Sequence, residues 1–275
     1  MSESIATVSG LFVYPVKSCA GIELNGVRFD GRGPQLDRRF MVIDADGEMI
    51  TQRSAPILSQ VKPALAPTAL SLTAPRKAAL KIPLSGGEQS RTRAVVWKFE
   101  TEADDMGDDA AHWFSELLGK PARLVRWAED QLRSTSKRHT QIDSQVGFAD
   151  GYPALLLSEA SLADLNGRLD AKVGMDRFRP NIVVTGCPAF AEDSWQTVQL
   201  GNLTLDVVKP CDRCEIIGVN QQTAETSKEP LRTLADYRRD GNKVLFGQNC
   251  VHHDWGSVRV GDPVEILATR PAQER

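Results

Sequence analysis

Val207-Val208-Lys209-Pro210-Cys211-Asp212-Arg213-Cys214-Glu215-Ile216-Ile217 places two cysteines and an arginine within four residues, between two short apolar β-forming runs. A thiolate is a strong ligand for a soft metal, and a neighbouring arginine favours its ionised form. Pro210 removes a ladder donor, so the strand is expected to end or bulge there and to present Cys211 to Cys214 as a loop. The same spacing also suits zinc or dithiol redox chemistry. Zinc needs about four ligands, and no second cysteine pair follows; His252-His253-Asp254 could supply donors but reads as a loop. A thioredoxin-like dithiol wants this spacing at a helix start after a strand, whereas here strand follows strand.

The 275 residues suffice for one large domain or two modest ones. With 41% apolar and 25% charged residues, the composition is that of an ordinary soluble protein. A net charge of -3 argues against nucleic-acid binding built on phosphate contacts. No apolar run approaches the roughly 18 residues of a membrane span, and residues 1–16 lack the marks of a signal peptide. Five cysteines without a framework spacing read as reduced thiols, so a cytoplasmic protein is expected, with Cys19, Cys187 and Cys250 as packing residues.

Working outward, Val8 to Val16 reads as a strand that runs into Lys17-Ser18-Cys19-Ala20-Gly21. A lysine, a hydroxyl and a glycine at a strand end suit an anion: one charge, one hydrogen bond, one close approach. Asp37 to Ile43 leads into a second strand, Asp46-Gly47 signals a hairpin, and Glu48 to Arg53 is the expected return strand, with Arg38 and Arg53 near opposite ends of that hairpin. Strands are further expected at Leu70 to Leu72, Leu80 to Ile82 and Ala94 to Phe99, with a loop at Gly86-Gly87. Asp108 is read as the cap of a helix to Leu118, closed by Gly119 and Pro121. The polar stretch 128–146 is expected to be a loop that divides domains 1–125 and 126–270.

Beyond it, Ser158 is expected to cap a helix carrying Leu162, Leu165 and Leu169. Arg179 precedes Pro180 and is expected to be extended. Leu200 to Val208 reads as the strand that delivers the cysteine loop, Pro230 opens a helix, and Val258 to Ile266 is broken at Gly261-Asp262-Pro263. The short alternating strands give an α+β, mainly β fold: a barrel-like N-terminal domain followed by a second barrel with a few helices.

Six stretches together resemble one family: Tyr14-Pro15-Val16-Lys17-Ser18, Leu36-Asp37-Arg38-Arg39-Phe40, Ser158-Glu159-Ala160-Ser161-Leu162, Phe178-Arg179-Pro180-Asn181, Cys211-Asp212-Arg213-Cys214 and Val260-Gly261-Asp262-Pro263-Val264. They are similar to the MOSC proteins, in the branch that carries an N-terminal MOSC β-barrel domain and includes the mitochondrial amidoxime-reducing component and its bacterial relatives. The resemblance implies a molybdenum–molybdopterin cofactor with Cys214 as the metal ligand, and Lys17, Ser18, Arg38, Arg179, Asn181 and Arg213 as cofactor-binding residues; Arg53 joins them on a less specific context. It implies reduction of N-hydroxylated bases and amidoximes by oxygen transfer to molybdenum. Asp150, before Gly151-Tyr152-Pro153, is the candidate proton donor beside the catalytic Cys214. Pyridoxal phosphate binding stands beside these as a further expectation.

No flavin, haem or iron–sulfur signature is present, so the expected partners are a small N-hydroxylated substrate and a separate reductase or iron–sulfur or haem carrier. The alternative is a carrier that binds the cofactor, or its sulfurated form, without turnover. Neither a nucleic acid nor a membrane is an expected partner.

Overall fold

The computed structural model describes residues 6–84 and 90–271; the loop expected at Gly86-Gly87 lies outside them. The fold is α+β and mainly β, with α-helices at Asp108–Leu118, Glu159–Asn166 and Leu231–Tyr237.

The largest sheet runs in the order Val264–Thr269, Trp195–Leu200, Leu203–Asp212, Lys243–His252, Ala154–Ser158, Ile182–Thr185, Thr7–Val13 and Ile22–Leu24. One pair is parallel, Ala154–Ser158 with Ile182–Thr185, and the helix Glu159–Asn166 makes part of its crossover. The sheet curls until its ends meet: Val8 N donates to Asp262 O at 2.9 Å, Gly261 N to Val8 O at 2.8 Å and Val264 N to Ala6 O at 2.7 Å. Closure removes open edges and encloses one apolar core of Leu11, Val13, Leu156, Ile182, Val198 and Leu205.

Residues 7–34 thus pair in space with C-terminal strands; Gly26–Asp30 also pairs with Gly256–Arg259. The following segment forms a four-stranded sheet of Phe40–Ile43, Arg123–Trp127, Phe99–Asp105 and Arg91–Val96, and a three-stranded one of Lys62–Leu65, Ala69–Thr73 and Leu80–Pro83. Helix Asp108–Leu118 covers them with Ala110, Trp113 and Phe114. Its cap is Gly107, with Asp108 and Asp109 in the first turn, where carboxylates favour the positive helix end; Gly119 leaves it in the left-handed conformation.

Several local expectations change. The return strand after Asp46-Gly47 is short: Ile43 bridges Met49, Ile50 N donates to Val42 O at 2.8 Å, and a turn held by Thr51 follows. Arg38 and Arg53 therefore share the open end of the hairpin, because the two arms of a hairpin converge there. Ala94 to Phe99 is a hairpin tip, with Val96 facing Phe99 and Trp97 at φ +59°. Arg179 is left-handed at φ +55°, where extended geometry was expected. The strand through Pro210 reaches Asp212 with register shifts on both sides of the proline, a bulge where a ladder donor is missing. Pro230 is the cap of its helix rather than its first residue.

Ser158 caps Glu159–Asn166 as expected, its Oγ accepting from Ser161 N at 3.1 Å. Beneath it Glu192 is buried; Oε1 accepts from Ser158 N and Ser161 Oγ, and Oε2 has no partner. Burial raises the Glu192 pKa against the lowering effect of those bonds. A group whose folded pKa lies above its unfolded one stabilises fully below the unfolded value and loses that contribution as pH rises through the folded value. Glu192→Gln, which cannot ionise, should therefore gain on the wild type as pH rises from 4.5 to 8, by about 2 °C or more in Tm. Thermal melts at both pH values check this; a pH-independent gap contradicts it.

Candidate functional site

Every cofactor-binding, catalytic and metal-ligating candidate lines one cleft between the two groups of strands: Lys17, Ser18, Arg38, Arg53, Asp150, Arg179, Asn181, Arg213 and Cys214. The cleft opens to solvent at its mouth. It draws on segments as far apart as residues 17 and 214 because the N-terminal strand belongs to the C-terminal sheet.

One wall is a knot around Asp37. Its buried carboxylate accepts from Tyr14 N at 2.8 Å, Asn181 Nδ2 at 3.0 Å and Arg38 Nη1 at 2.6 Å. Burial works against the Arg38 charge, but Asp37 outweighs it and the pKa is raised. Asn181 uses its whole amide: Oδ1 accepts from Arg38 Nη1 and Leu155 N, and Nδ2 also donates to Phe12 O. The Tyr14 ring lies between the Arg38 and Arg179 guanidiniums, each 4.3 Å from its centroid, and the hydroxyl donates to Pro180 O. An aromatic face between two cations attracts both and keeps them apart. Burial and the neighbouring Arg38 push the Arg179 pKa down to about 10.

Ser18, Arg38 and Arg179 all have left-handed backbones, at φ +66°, +47° and +55°. Non-glycine residues there are strained, and such strain gathers at sites where the fold dictates the backbone. Arg179 Nη1 donates to Cys19 O at 2.5 Å, while Nη2 is buried without a partner. Arg213 repeats the pattern: Nε and Nη1 donate to Phe246 O and Phe178 O, and Nη2 has none.

On the opposite wall, the buried Lys17 Nζ donates to Phe148 O at 2.9 Å and to Asp150 Oδ1 at 2.5 Å. Burial lowers the Lys17 pKa and Asp150 opposes that shift. The surroundings of Asp150 would raise its pKa, but Lys17, the indole of Trp97 and Arg38 hold it well below the carboxylate range. Because its side chain is 74% accessible to solvent, those contacts rather than desolvation set the direction. In this arrangement Asp150 is an ionised partner of Lys17, not the raised-pKa acid expected of a proton donor. Lys17 is likewise engaged, and nothing in this arrangement supports the pyridoxal phosphate expectation.

Cys214 sits half-buried at the end of the bulged strand. Arg53 Nη2 approaches its Sγ to 3.1 Å, stacks 4.7 Å from the Trp97 centroid and lies 3.5 Å from Glu215. Cys211 lines the same cleft, its pKa raised by burial. Cys19 and Cys250 are buried thiols pushed up to about 12, and all five cysteines are unpaired. Among the described residues no group of three or more His, Cys, Asp or Glu side chains could hold a metal. His252 faces Asp30 O and His253 faces Asp206.

Sequence reasoning missed Trp97, Tyr14, Asp37 and Arg133. Trp97 carries no turn signal, since glycine or asparagine is the usual mark of a left-handed hairpin tip. Arg133, inside the polar 128–146 loop, donates to Gly147 O, Ala149 O and Asp150 O and so fixes the segment that bears Asp150.

The MOSC N-terminal beta barrel domain matches residues 5–121, and the MOSC domain matches residues 143–265. Mitochondrial amidoxime-reducing component 1 of Homo sapiens is 37% identical over 96% of this chain and 84% of its own length. Mitochondrial amidoxime reducing component 2 of Bos taurus is 37% identical over 95% and 83%. Among solved structures, the YuaD protein from Bacillus subtilis aligns over 94% of both chains at 12% identity and a TM-score of 0.42, a weak likeness. The chain belongs to the MOSC family, with the amidoxime-reducing components among its relatives.

Proposed function

We propose that this protein is a molybdenum-cofactor-dependent oxidoreductase that reduces N-hydroxylated bases and amidoximes to amines and amidines, with electrons from a separate protein. The observation that carries the reading is one cleft combining five arginines, a lysine and the half-buried Cys214 thiol. A molybdopterin group fits its chemistry. Lys17, Ser18 and Arg38 suit a phosphate dianion. Arg179 and Arg213, each with a buried unpaired Nη2, suit acceptor atoms of a pterin, which would relieve the cost of leaving those donors unmade. A dithiolene brings two sulfurs, so a single protein thiolate, Cys214, suffices where no larger ligand cluster is present among the described residues. When bound, the group supplies a two-electron redox centre able to take oxygen from nitrogen.

The remaining work falls to the chain. Reducing R–NHOH to R–NH2 and water consumes two electrons and two protons. Arg53 holds the Cys214 sulfur through the hydrogen bond from Nη2, and Trp97 packs on Arg53 and fixes its guanidinium. Asn181 serves through Arg38, holding it with Asp37 rather than offering its own amide. Asp150 is the proposed proton carrier and can deliver a proton only when its pairing with Lys17 loosens. The unpaired thiols suit a reducing compartment, the cytoplasm. Among the described residues no helix is long and apolar enough to cross a membrane.

Turnover tests the reading. Protein from a host that makes the cofactor should convert benzamidoxime to benzamidine with reduced methyl viologen as donor. Binding of cofactor without conversion would instead favour the carrier alternative. Tyr14 gives a second check. Tyr14→Leu removes the face between Arg38 and Arg179, and pterin retained per chain should fall by about tenfold, the scale of two cation–π contacts. Tyr14→Phe keeps the ring and should retain pterin nearly as the wild type does. Equal losses in both variants would assign the effect to the hydroxyl instead.

A further inference from the structure

We propose that Trp97 determines the substrate class of this cleft: its indole is the surface on which the planar ring of an aromatic N-hydroxylated compound stacks. The inference rests on the reductase reading above and deepens it by naming the shape of substrate that the site prefers.

Val96 faces Phe99 across the hairpin, so Trp97 and Lys98 are its two turn residues. Positive φ falls on Trp97 and not on Lys98, the pattern of a type II′ turn, whose first central position favours glycine. At φ +59° a tryptophan is strained where glycine would turn freely, which points to a use for its side chain. The hairpin is anchored behind its tip: Phe99 stacks on Trp127 at 6.3 Å, and Trp127 meets Phe148 edge-on at 5.1 Å.

The indole bridges the two sides of the chemistry. Arg53, whose Nη2 approaches Cys214 Sγ, stacks 4.7 Å from the ring centroid, and the indole Nε1 donates to Asp150 Oδ1 at 3.1 Å. Lys17, which shares Asp150 Oδ1, has its Nζ 5.8 Å from the centroid. A chain of contacts therefore runs from the thiol to the carboxylate with the indole at its middle. A substrate that reacts beside Cys214 and takes its proton from Asp150 lies along that ring.

Exposure singles Trp97 out. Among the described residues, three aromatic side chains line the cleft. Phe178 is buried against Phe246, and Tyr152 is half-buried with Lys209 at its ring. Trp97 stays 42% exposed although Arg53 and Asp150 hold it. Trp113, Trp127 and Trp195 are buried, and the exposed Trp255 lies outside the cleft. An open indole offers what the surrounding cations and amides do not, an apolar planar surface. An aromatic ring stacks on it whatever hydrogen-bonding edge the ring carries, whereas a small aliphatic group gains little there.

The test compares benzamidoxime with acetamidoxime, which carries the same reacting group on a methyl, using cofactor-loaded protein and reduced methyl viologen. The wild type should show the higher kcat/KM on benzamidoxime, through a lower KM. Trp97→Leu should reduce the ratio of the two kcat/KM values about tenfold, and Trp97→Tyr, which keeps a ring, should leave it within about threefold of the wild type. The ratio is the decisive readout, because damage to Arg53 or Asp150 slows both substrates together and cancels. A wild type without preference for the ring, or an unchanged ratio in Trp97→Leu, overturns the proposal. Titrating the oxidised protein with benzamidoxime, which is not consumed without a donor, repeats the comparison without turnover. Affinity about tenfold weaker in Trp97→Leu supports the stacking role, and equal affinity overturns it. Absence of turnover with both compounds in the wild type would instead strike the reductase reading, and the titration still decides the role of Trp97.

Discussion

Cys214→Ala is expected to abolish reduction of N-hydroxylated substrates, lowering kcat/KM by at least about 10³-fold, the scale on which a central catalytic group acts. The side chain is half-buried, and the hydrogen bond recorded for its sulfur is from Arg53. The fold should therefore hardly notice the change, with stability within about 0.5 kcal/mol of wild type. Cys211→Ala is the control. Its thiol is raised by burial and makes a long 3.8 Å contact with Asp212 O, so much of the activity should remain. Steady-state kinetics with reduced dye and a thermal melt decide both. Full activity in Cys214→Ala would remove the thiol from the chemistry; equal loss in both variants would point to damage of the loop.

The second large effect concerns stability. Asp37→Ala removes the carboxylate that Arg38, Asn181 and Tyr14 N all use, and leaves a largely buried guanidinium without its counter-charge. Breaking a buried pair on one side costs about 3–5 kcal/mol, which for a chain of this length lowers Tm by roughly 6–20 °C. The knot also joins segments 12–14, 37–38 and 179–181, so the cleft wall should loosen with it. Urea denaturation measures the loss. A change below about 1 kcal/mol would show that solvent already screens the pair. Arg38→Met breaks the same pair from the other side and leaves the Asp37 carboxylate to Tyr14 N and Asn181 Nδ2, so it should also destabilise the chain while harming cofactor retention more.

The sequence made the cleft's cationic residues legible through chemistry at strand ends. Lys17, Arg213 and Cys214 each follow a β-forming run, and the backbone delivers them to one place. The roles within the cleft were less visible. Asn181 looks like a ligand residue by type, yet its amide is consumed by Arg38, Asp37, Phe12 and Leu155, which only the fold brings together. Asp150 looks like an acid until Lys17, 133 residues away, pairs with it. Trp97 was hidden for a different reason: a tryptophan at φ +59° breaks the local rule that marks turns, and tertiary contacts to Arg53 and Asp150 accompany that conformation. Likewise, nothing local announces that Thr7–Val13 pairs with Ile182–Thr185, because antiparallel register over such a separation is fixed by the buried face rather than by a turn.

The most direct measurement is X-ray absorption at the molybdenum edge of the purified protein. A metal held by the cofactor's dithiolene and by Cys214 predicts three sulfur neighbours in the wild type and two in Cys214→Ser, at unchanged pterin content. The same sulfur count in both proteins, or wild-type protein that carries pterin without molybdenum, would contradict the account.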